Sequence, residues 1–119
     1  MKVMLIEDDR TMRAILKTLL ELEHHAVSSW SGQPGDDILS LIRGDLPDVL
    51  LLDVHLRYIS GLDILRQIRS DTQLCLIRVL MTSGMDLKDQ CMEAGADGFL
   101  LKPYMPDELI QLINNQAVK

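Results

Sequence analysis

Three acids, two hydroxyls and a lysine stand out because each directly follows an apolar run. Glu7 and Asp8 follow Leu5-Ile6, and Asp53 follows Val49-Leu50-Leu51-Leu52. Thr82 and Ser83 follow Val79-Leu80-Met81, and Lys102 follows Phe99-Leu100-Leu101. A short apolar run between turn signals reads as a buried strand of a parallel sheet. Such a strand carries its last residue to the carboxyl edge, where open α/β sheets bind ligands. Two carboxylates about 4 Å apart repel by on the order of 4 kcal/mol at an effective dielectric near 20. Lys102 supplies one compensating charge, which leaves room for a divalent cation, and oxygen-only ligands suit Mg²⁺. A carboxylate can also act as nucleophile and form an acyl phosphate. The transferring group then needs its oxygens neutralised by metal on one side and by a lysine and a hydroxyl on another. Gly84, beside the hydroxyls, leaves space for a phosphoryl group. The sequence has no GxxxxGK[ST] nucleotide loop, and no spacing rule positions a histidine as general base.

These residues need strands separated by helices. Lys2 to Ile6 reads as the first strand. Met12, Ile15, Leu16, Leu19 and Leu20 then follow helical spacing, with Asp9 as N-cap. His25 to Ser29 reads as a weaker strand and Ser31 to Gly35 as a loop. Asp36 and Asp37 open a second helix that Gly44 closes. After the central strand and the loop His55 to Ser60, Ser60 caps a helix through Leu62, Ile64, Leu65 and Ile68. Leu76 to Met81 reads as the fourth strand, followed by a short helix capped by Asp86 and ended by Gly95. Gly98 to Leu101 is the fifth strand. Pro106 opens the last helix, with Asp107 and Glu108 at its positive end. Met105 stands where a polar cap is expected, which forgoes about 1 kcal/mol. The last helix runs out near Asn115, with Gln116 to Lys119 as a tail. Five strands alternating with five helices imply an α/β, doubly wound five-stranded parallel sheet with helices on both faces. There is no internal repeat and no linker, so residues 1–119 read as one domain.

Composition narrows the function. A chain of 119 residues with 47% hydrophobic content suits one globular domain. Aromatics are only 3%, so the core must be aliphatic. A net charge of −6 argues against a nucleic-acid surface. No apolar stretch approaches the roughly 18–20 residues of a membrane span, and no signal-peptide pattern opens the chain. Cys75 and Cys91 have no disulfide or metal spacing and read as reduced core thiols of a cytoplasmic protein.

Four features, in order, resemble the receiver domain of two-component response regulators over essentially the whole chain. They are Leu5-Ile6-Glu7-Asp8, then Leu50-Leu51-Leu52-Asp53 with Gly61 eight residues on, Met81-Thr82-Ser83-Gly84, and Gly95-Ala96-Asp97-Gly98-Phe99 leading to Lys102-Pro103. The resemblance implies a flavodoxin-like fold with strand order 2-1-3-4-5. It implies that Asp53 accepts a phosphoryl group from a sensor histidine kinase or a phosphotransfer protein, in a reaction that needs Mg²⁺. Asp8, Asp53 and the backbone carbonyl of His55 would ligate the metal, and Glu7 would hold it through water. Ser83, with Thr82 beside it, would serve the phosphoryl group, and Lys102 would pair with it across a cis Lys102-Pro103 peptide. Phe99 would be the switch aromatic that turns inward as Ser83 moves. The fourth helix, fifth strand and fifth helix would signal to an output domain or protein. A homodimer through that face is compatible with the pattern but is read from no residue. Such a domain is not an enzyme in the ordinary sense, since it catalyses only its own phosphorylation and dephosphorylation. The chain fits both a stand-alone receiver and the receiver of a longer regulator.

The departures are local. Many members read Met-Pro where this chain has Leu56-Arg57, which predicts a less restrained loop from Leu56 to Ser60. Phe99 lacks the hydroxyl of a tyrosine, so a switch there works by packing alone. His55 is either a solvated loop residue or a ring overhanging the phosphoryl group. His24 and His25 read as surface residues, and Trp30 as half-buried at the end of the second strand. Two rival functions remain. One is a phosphatase of the haloacid dehalogenase kind with Asp53 as nucleophile, but His55 stands where that family carries its second acid. The other is a degenerate receiver that binds partners unphosphorylated, against which the complete set Glu7, Asp8, Asp53, Ser83 and Lys102 argues.

Overall fold

Every strand that the sequence predicts is formed, and all five pair in parallel. The computed structural model describes residues 1–31, 35 and 37–116. Gly32, Gln33 and Pro34 of the expected loop, Asp36 at the expected helix opening, and the tail 117–119 lie outside the described residues. The elements are β1 (Lys2–Ile6), α1 (Arg10–Leu22), β2 (Ala26–Trp30), α2 (Ile38–Asp45), β3 (Val49–Asp53), α3 (Gly61–Ser70), β4 (Arg78–Ser83), α4 (Lys88–Glu93), β5 (Gly98–Leu101) and α5 (Pro106–Gln116). The sheet order is β2-β1-β3-β4-β5, which puts β3 at the centre, buried at all five positions.

Alternation along the strands divides the core into two layers. Met4, Ile6, Leu50, Leu52, Val79 and Met81 face α2, α3 and α4. Val3, Leu5, Val49, Leu51, Leu80 and Leu100 face α1 and α5. Burying a leucine in either layer contributes roughly 1.5–3 kcal/mol. Among the described residues no helix is long and apolar enough to cross a membrane.

Helix starts follow the expected chemistry at three places. Asp9 accepts from the Met12 amide, Asp37 from Ser40 and Ser60 from Asp63. Asp86 does not cap α4: the N-cap is Leu87, without a side-chain bond, and Asp86 only accepts weakly from the Lys88 amide at 3.4 Å. Gly44 does not close α2 either. The helix continues to Asp45, and Leu46 takes the left-handed cap at φ 48°. Leu76 is 88% exposed and lies in a turn, so β4 starts two residues later than its apolar run and includes Thr82 and Ser83. β2 is shifted one residue along, to Ala26–Trp30, as an edge strand with no fully buried position. Trp30, at its end, is 39% exposed.

Below the sheet's carboxyl edge, one guanidinium ties three segments together. Arg69, near the end of α3, donates to the carbonyls of Cys75, Ile77 and Gly95 and to Asp97 Oδ2. Asp97 also accepts from the Val79 amide and lies 3.6 Å from Arg78. Gly95 has φ 107°, and a Cβ there would come within 2.9 Å of Arg69 Cγ. Cys91 is buried in the core, whereas Cys75 is half-buried in this turn, so only one of the two thiols belongs to the core. His25 is not a free surface residue: Nδ1 lies 3.1 Å from the chain's amino group, and Nε2 is buried without a partner.

Candidate functional site

The carboxyl ends of β1, β3, β4 and β5 meet at one rim, with the polar residues at or just past those ends. Glu7 and Asp53 are buried, 5% and 6% exposed, and Asp8 is half-buried. One carboxylate oxygen from each of Glu7, Asp8 and Asp53 lies within 4.8 Å of the others. Lys102 Nζ bridges two of them, 2.9 Å from Asp53 Oδ2 and 3.0 Å from Glu7 Oε2.

Backbone donors hold the acids in place. The His55 amide donates to Asp53 Oδ1 at 3.1 Å, and the Asp9 amide to Glu7 Oε1 at 3.1 Å. The Arg57 amide donates to Asp8 Oδ2 at 2.8 Å. Arg13 reaches the Glu7 carbonyl from α1. Ser83 is fully buried, and its Oγ accepts from the Met85 amide, which leaves the hydroxyl hydrogen free to donate. Lys102 N–H donates to the Ser83 carbonyl at 2.8 Å, so the ends of β4 and β5 are locked side by side. Thr82 is buried directly opposite Asp53 in the β3–β4 register. Gly84 has open space around it. His55 is exposed, and Phe99 is half-buried against the α2–α4 core layer.

Gly61 explains its own spacing. A Cβ there would sit 2.1 Å from the Asp53 carbonyl oxygen, so α3 can start this close to β3 only from glycine.

The electrostatics follow from three clustered acids, two of which are bridged by one lysine. Burial raises the Glu7 carboxyl above its ordinary range; the Lys102 hydrogen bond opposes this, and the charge of Asp53 adds to it. Burial disfavours the Lys102 ammonium, but its hydrogen bonds to Asp53 and Glu7 win, and its pKa is raised. Tyr104, beside the rim, is pushed up to about 12 by burial and stays protonated.

Comparison with known proteins places the chain in a family. The model for the response regulator receiver domain matches residues 3–114. The chain belongs to the receiver domain family of response regulators. It is 35% identical over 120 residues to a nitrate/nitrite response regulator protein homolog of Haemophilus influenzae, covering 98% of this chain and 57% of that one. It is 38% identical over 103 residues to the transcriptional regulatory protein AfsQ1 of Streptomyces coelicolor, covering 85% and 44%. The chain spans about half the length of the curated relatives it matches. The receiver domain of Francisella response regulator 1452 superposes with a TM-score of 0.87 at 28% identity, over 99% of this chain and 98% of that one.

The acidic cluster of this receiver fits a divalent cation. Three carboxylates against one ammonium leave an excess of negative charge, and every donor is a hard oxygen. The Lys102-Pro103 peptide is cis, as the resemblance implies. Sequence reasoning missed the backbone donors of His55 and Arg57, because an amide leaves no mark in residue type. The missing proline at position 57 was the only trace of the second. The expected slackness of the loop is not seen. Its neck is closed by the His55–Ser60 bridge and the Gly61 N–H to Val54 carbonyl bond, and its tip is tied to Asp8.

Proposed function

We propose that Asp53 is the phosphoacceptor of a Mg²⁺-dependent signalling switch. The observation that carries this reading is the single lysine bridging Asp53 and Glu7 with Asp8 in reach. Asp53 attacks the phosphorus of a phosphohistidine on a sensor kinase or phosphotransfer protein. The P–N bond breaks, an acyl phosphate forms, and the imidazole leaves. Lys102 moves from carboxylate to phosphoryl oxygen, and Ser83 donates its free hydroxyl hydrogen. Thr82 buttresses the end of β3 from its paired position. Asp8, Asp53 and the His55 carbonyl would hold Mg²⁺ directly. Glu7, with both oxygens engaged, would reach it through water. When bound, the cation neutralises phosphoryl charge that one lysine cannot.

The transmitted change follows from the backbone tie. Ser83 and Lys102 lie at adjacent strand ends, so drawing both toward a phosphoryl group pulls on β4 and β5 together. Phe99, half-buried on β5, would take up the movement by packing inward. The surface of α4, β5 and α5 would then present it to an output domain or protein. The sequence reads as a cytoplasmic signalling domain, with residues 1–119 as one unit and self-association through the same surface as a further outcome of phosphorylation.

Incubation with acetyl phosphate and Mg²⁺, followed by intact mass, tests this. One phosphoryl adduct is expected, and none in Asp53→Asn. A chain that takes no adduct is a degenerate receiver. Turnover without an adduct would make it a phosphatase.

A further inference from the structure

Asp8 is held by a group that the Met-Pro pattern of many family members would not supply. Among the described residues, the Arg57 amide is the donor that reaches this carboxylate, 2.8 Å from Oδ2 and 49 residues away in sequence. It is charge-assisted and shorter than the bonds to Glu7 and Asp53, at 2.9 to 3.1 Å. A proline at this position has no N–H and could not make it. The loop is placed to hold the bond firmly, because its neck is closed by the His55–Ser60 bridge and the Gly61–Val54 bond, leaving Arg57 at its tip.

We propose that the Arg57 amide is a positioning group for the cation. By taking Oδ2, it fixes the rotation of the Asp8 carboxylate, one oxygen of which lies within 4.8 Å of those of Glu7 and Asp53. This inference rests on the phosphoacceptor reading above. Carboxylates that ligate metals are commonly fixed by a hydrogen bond of their own, and losing it weakens metal affinity about 10- to 100-fold. The arrangement also couples the loop to the metal: an ordered β3–α3 loop and a well-set Asp8 are one state. The guanidinium of Arg57 is exposed and is not part of the device.

Calorimetric titration of Mg²⁺ into Arg57→Ala and Arg57→Pro separates amide from side chain. Both lose the guanidinium, and only the second loses the N–H. The dissociation constant is expected to rise about tenfold from Ala to Pro, with both metal-free proteins melting cooperatively. Equal constants, or tighter binding by the proline variant, would overturn the proposal. A wild-type chain that takes up no Mg²⁺ would instead overturn the phosphoacceptor reading, and this inference with it. Amide NMR of the wild type gives a check that does not depend on folding of the proline variant. Asp8→Ala should move the Arg57 amide proton upfield and speed its exchange, and Mg²⁺ should leave it protected in the wild type. Release of that amide on adding Mg²⁺ would mean that it competes with the cation rather than orienting its ligand.

Discussion

Two partly buried charge clusters sit in this small fold, and they are built on opposite accounts. At the rim, Glu7, Asp8 and Asp53 cluster around one lysine that pairs with only Glu7 and Asp53, and negative charge is left over. Around Arg69, a single acid, Asp97, meets two guanidiniums, and the donors of Arg69 are spent on backbone carbonyls as well. The second cluster is closed by its partners: the extra positive charge is met by backbone carbonyls at Arg69 and by solvent at the part-exposed Arg78. The first is open by charge although buried by position. Burial alone therefore does not mark a functional site. An unmatched charge that the fold still tolerates does, because its cost persists until something else binds.

The contrast predicts that the closed cluster carries stability and the open one does not. Arg69→Ala should give the largest effect. It removes the guanidinium from three carbonyls and from Asp97, which keeps the Val79 amide and Arg78. At side-chain exposures near 20% for Arg69 and Asp97, this should destabilise the domain by about 3 kcal/mol. Urea denaturation measures this, and Arg69→Lys should recover little, since one ammonium cannot span the same acceptors. A loss under about 1 kcal/mol would erase the distinction between the clusters.

Asp8→Asn probes the open cluster and should act in the other direction. Removing one of three crowded charges should raise the metal-free melting temperature, by a free energy of about 1 kcal/mol once solvent screening of the half-exposed Asp8 is allowed for. It should also remove the stabilisation that Mg²⁺ gives the wild type by mass action. If the variant melted lower and still responded to Mg²⁺, the acids would not form one cation site.

How much of this was readable in advance depends on the kind of group involved. The rim was legible because a fully apolar run that ends in an acid, as Val49–Leu52 ends in Asp53, can keep its apolar residues buried and its carboxylate near water only at a sheet edge. Alternation of strands and helices then implied a parallel sheet, and the resemblance supplied its strand order. The Arg69 cluster was invisible because most of its acceptors are carbonyls, and any residue brings one. Leu76 was misplaced since an apolar run does not say which of its members turn outward. Leu46 shows the same limit at a helix end. The residue that closes α2 adopts a left-handed conformation that leucine seldom takes, and Gly44 offered the more natural stop two residues earlier.

Two acids, Glu7 in the open cluster and Asp71 outside both clusters, should also answer pH in opposite directions in metal-free protein. Glu7 has a folded pKa raised above its unfolded value, chiefly by burial. The native state therefore binds the proton more tightly. The resulting stabilisation is complete below the unfolded value of 4.5 and is lost as pH rises through the raised one. Asp71, hydrogen-bonded by Arg43, is lowered, so its contribution is present above 3.8 and lost as pH falls through its folded value. Denaturation midpoints from pH 4 to 7, measured with chelator, should therefore rise toward acid in the wild type more than in Glu7→Gln. Identical profiles would mean that Lys102 fully neutralises Glu7.

The smallest effect tests whether the open cluster is also open to water. His55 is exposed, and its hydrogen bond to Asp53 comes from the backbone amide, so His55→Ala keeps that bond and removes just the ring. If the ring overhangs the acyl phosphate, its loss admits water and shortens the lifetime of phospho-Asp53 about threefold, a barrier change under 1 kcal/mol. A time course of intact mass after removal of acetyl phosphate reads this directly. The initial rate of adduct formation should be unchanged, because the variant keeps the backbone bond to Asp53 and every acid of the rim. Equal lifetimes would leave His55 a solvated loop residue, and protection of the acyl phosphate would then fall to the backbone of the loop that Arg57 ties down.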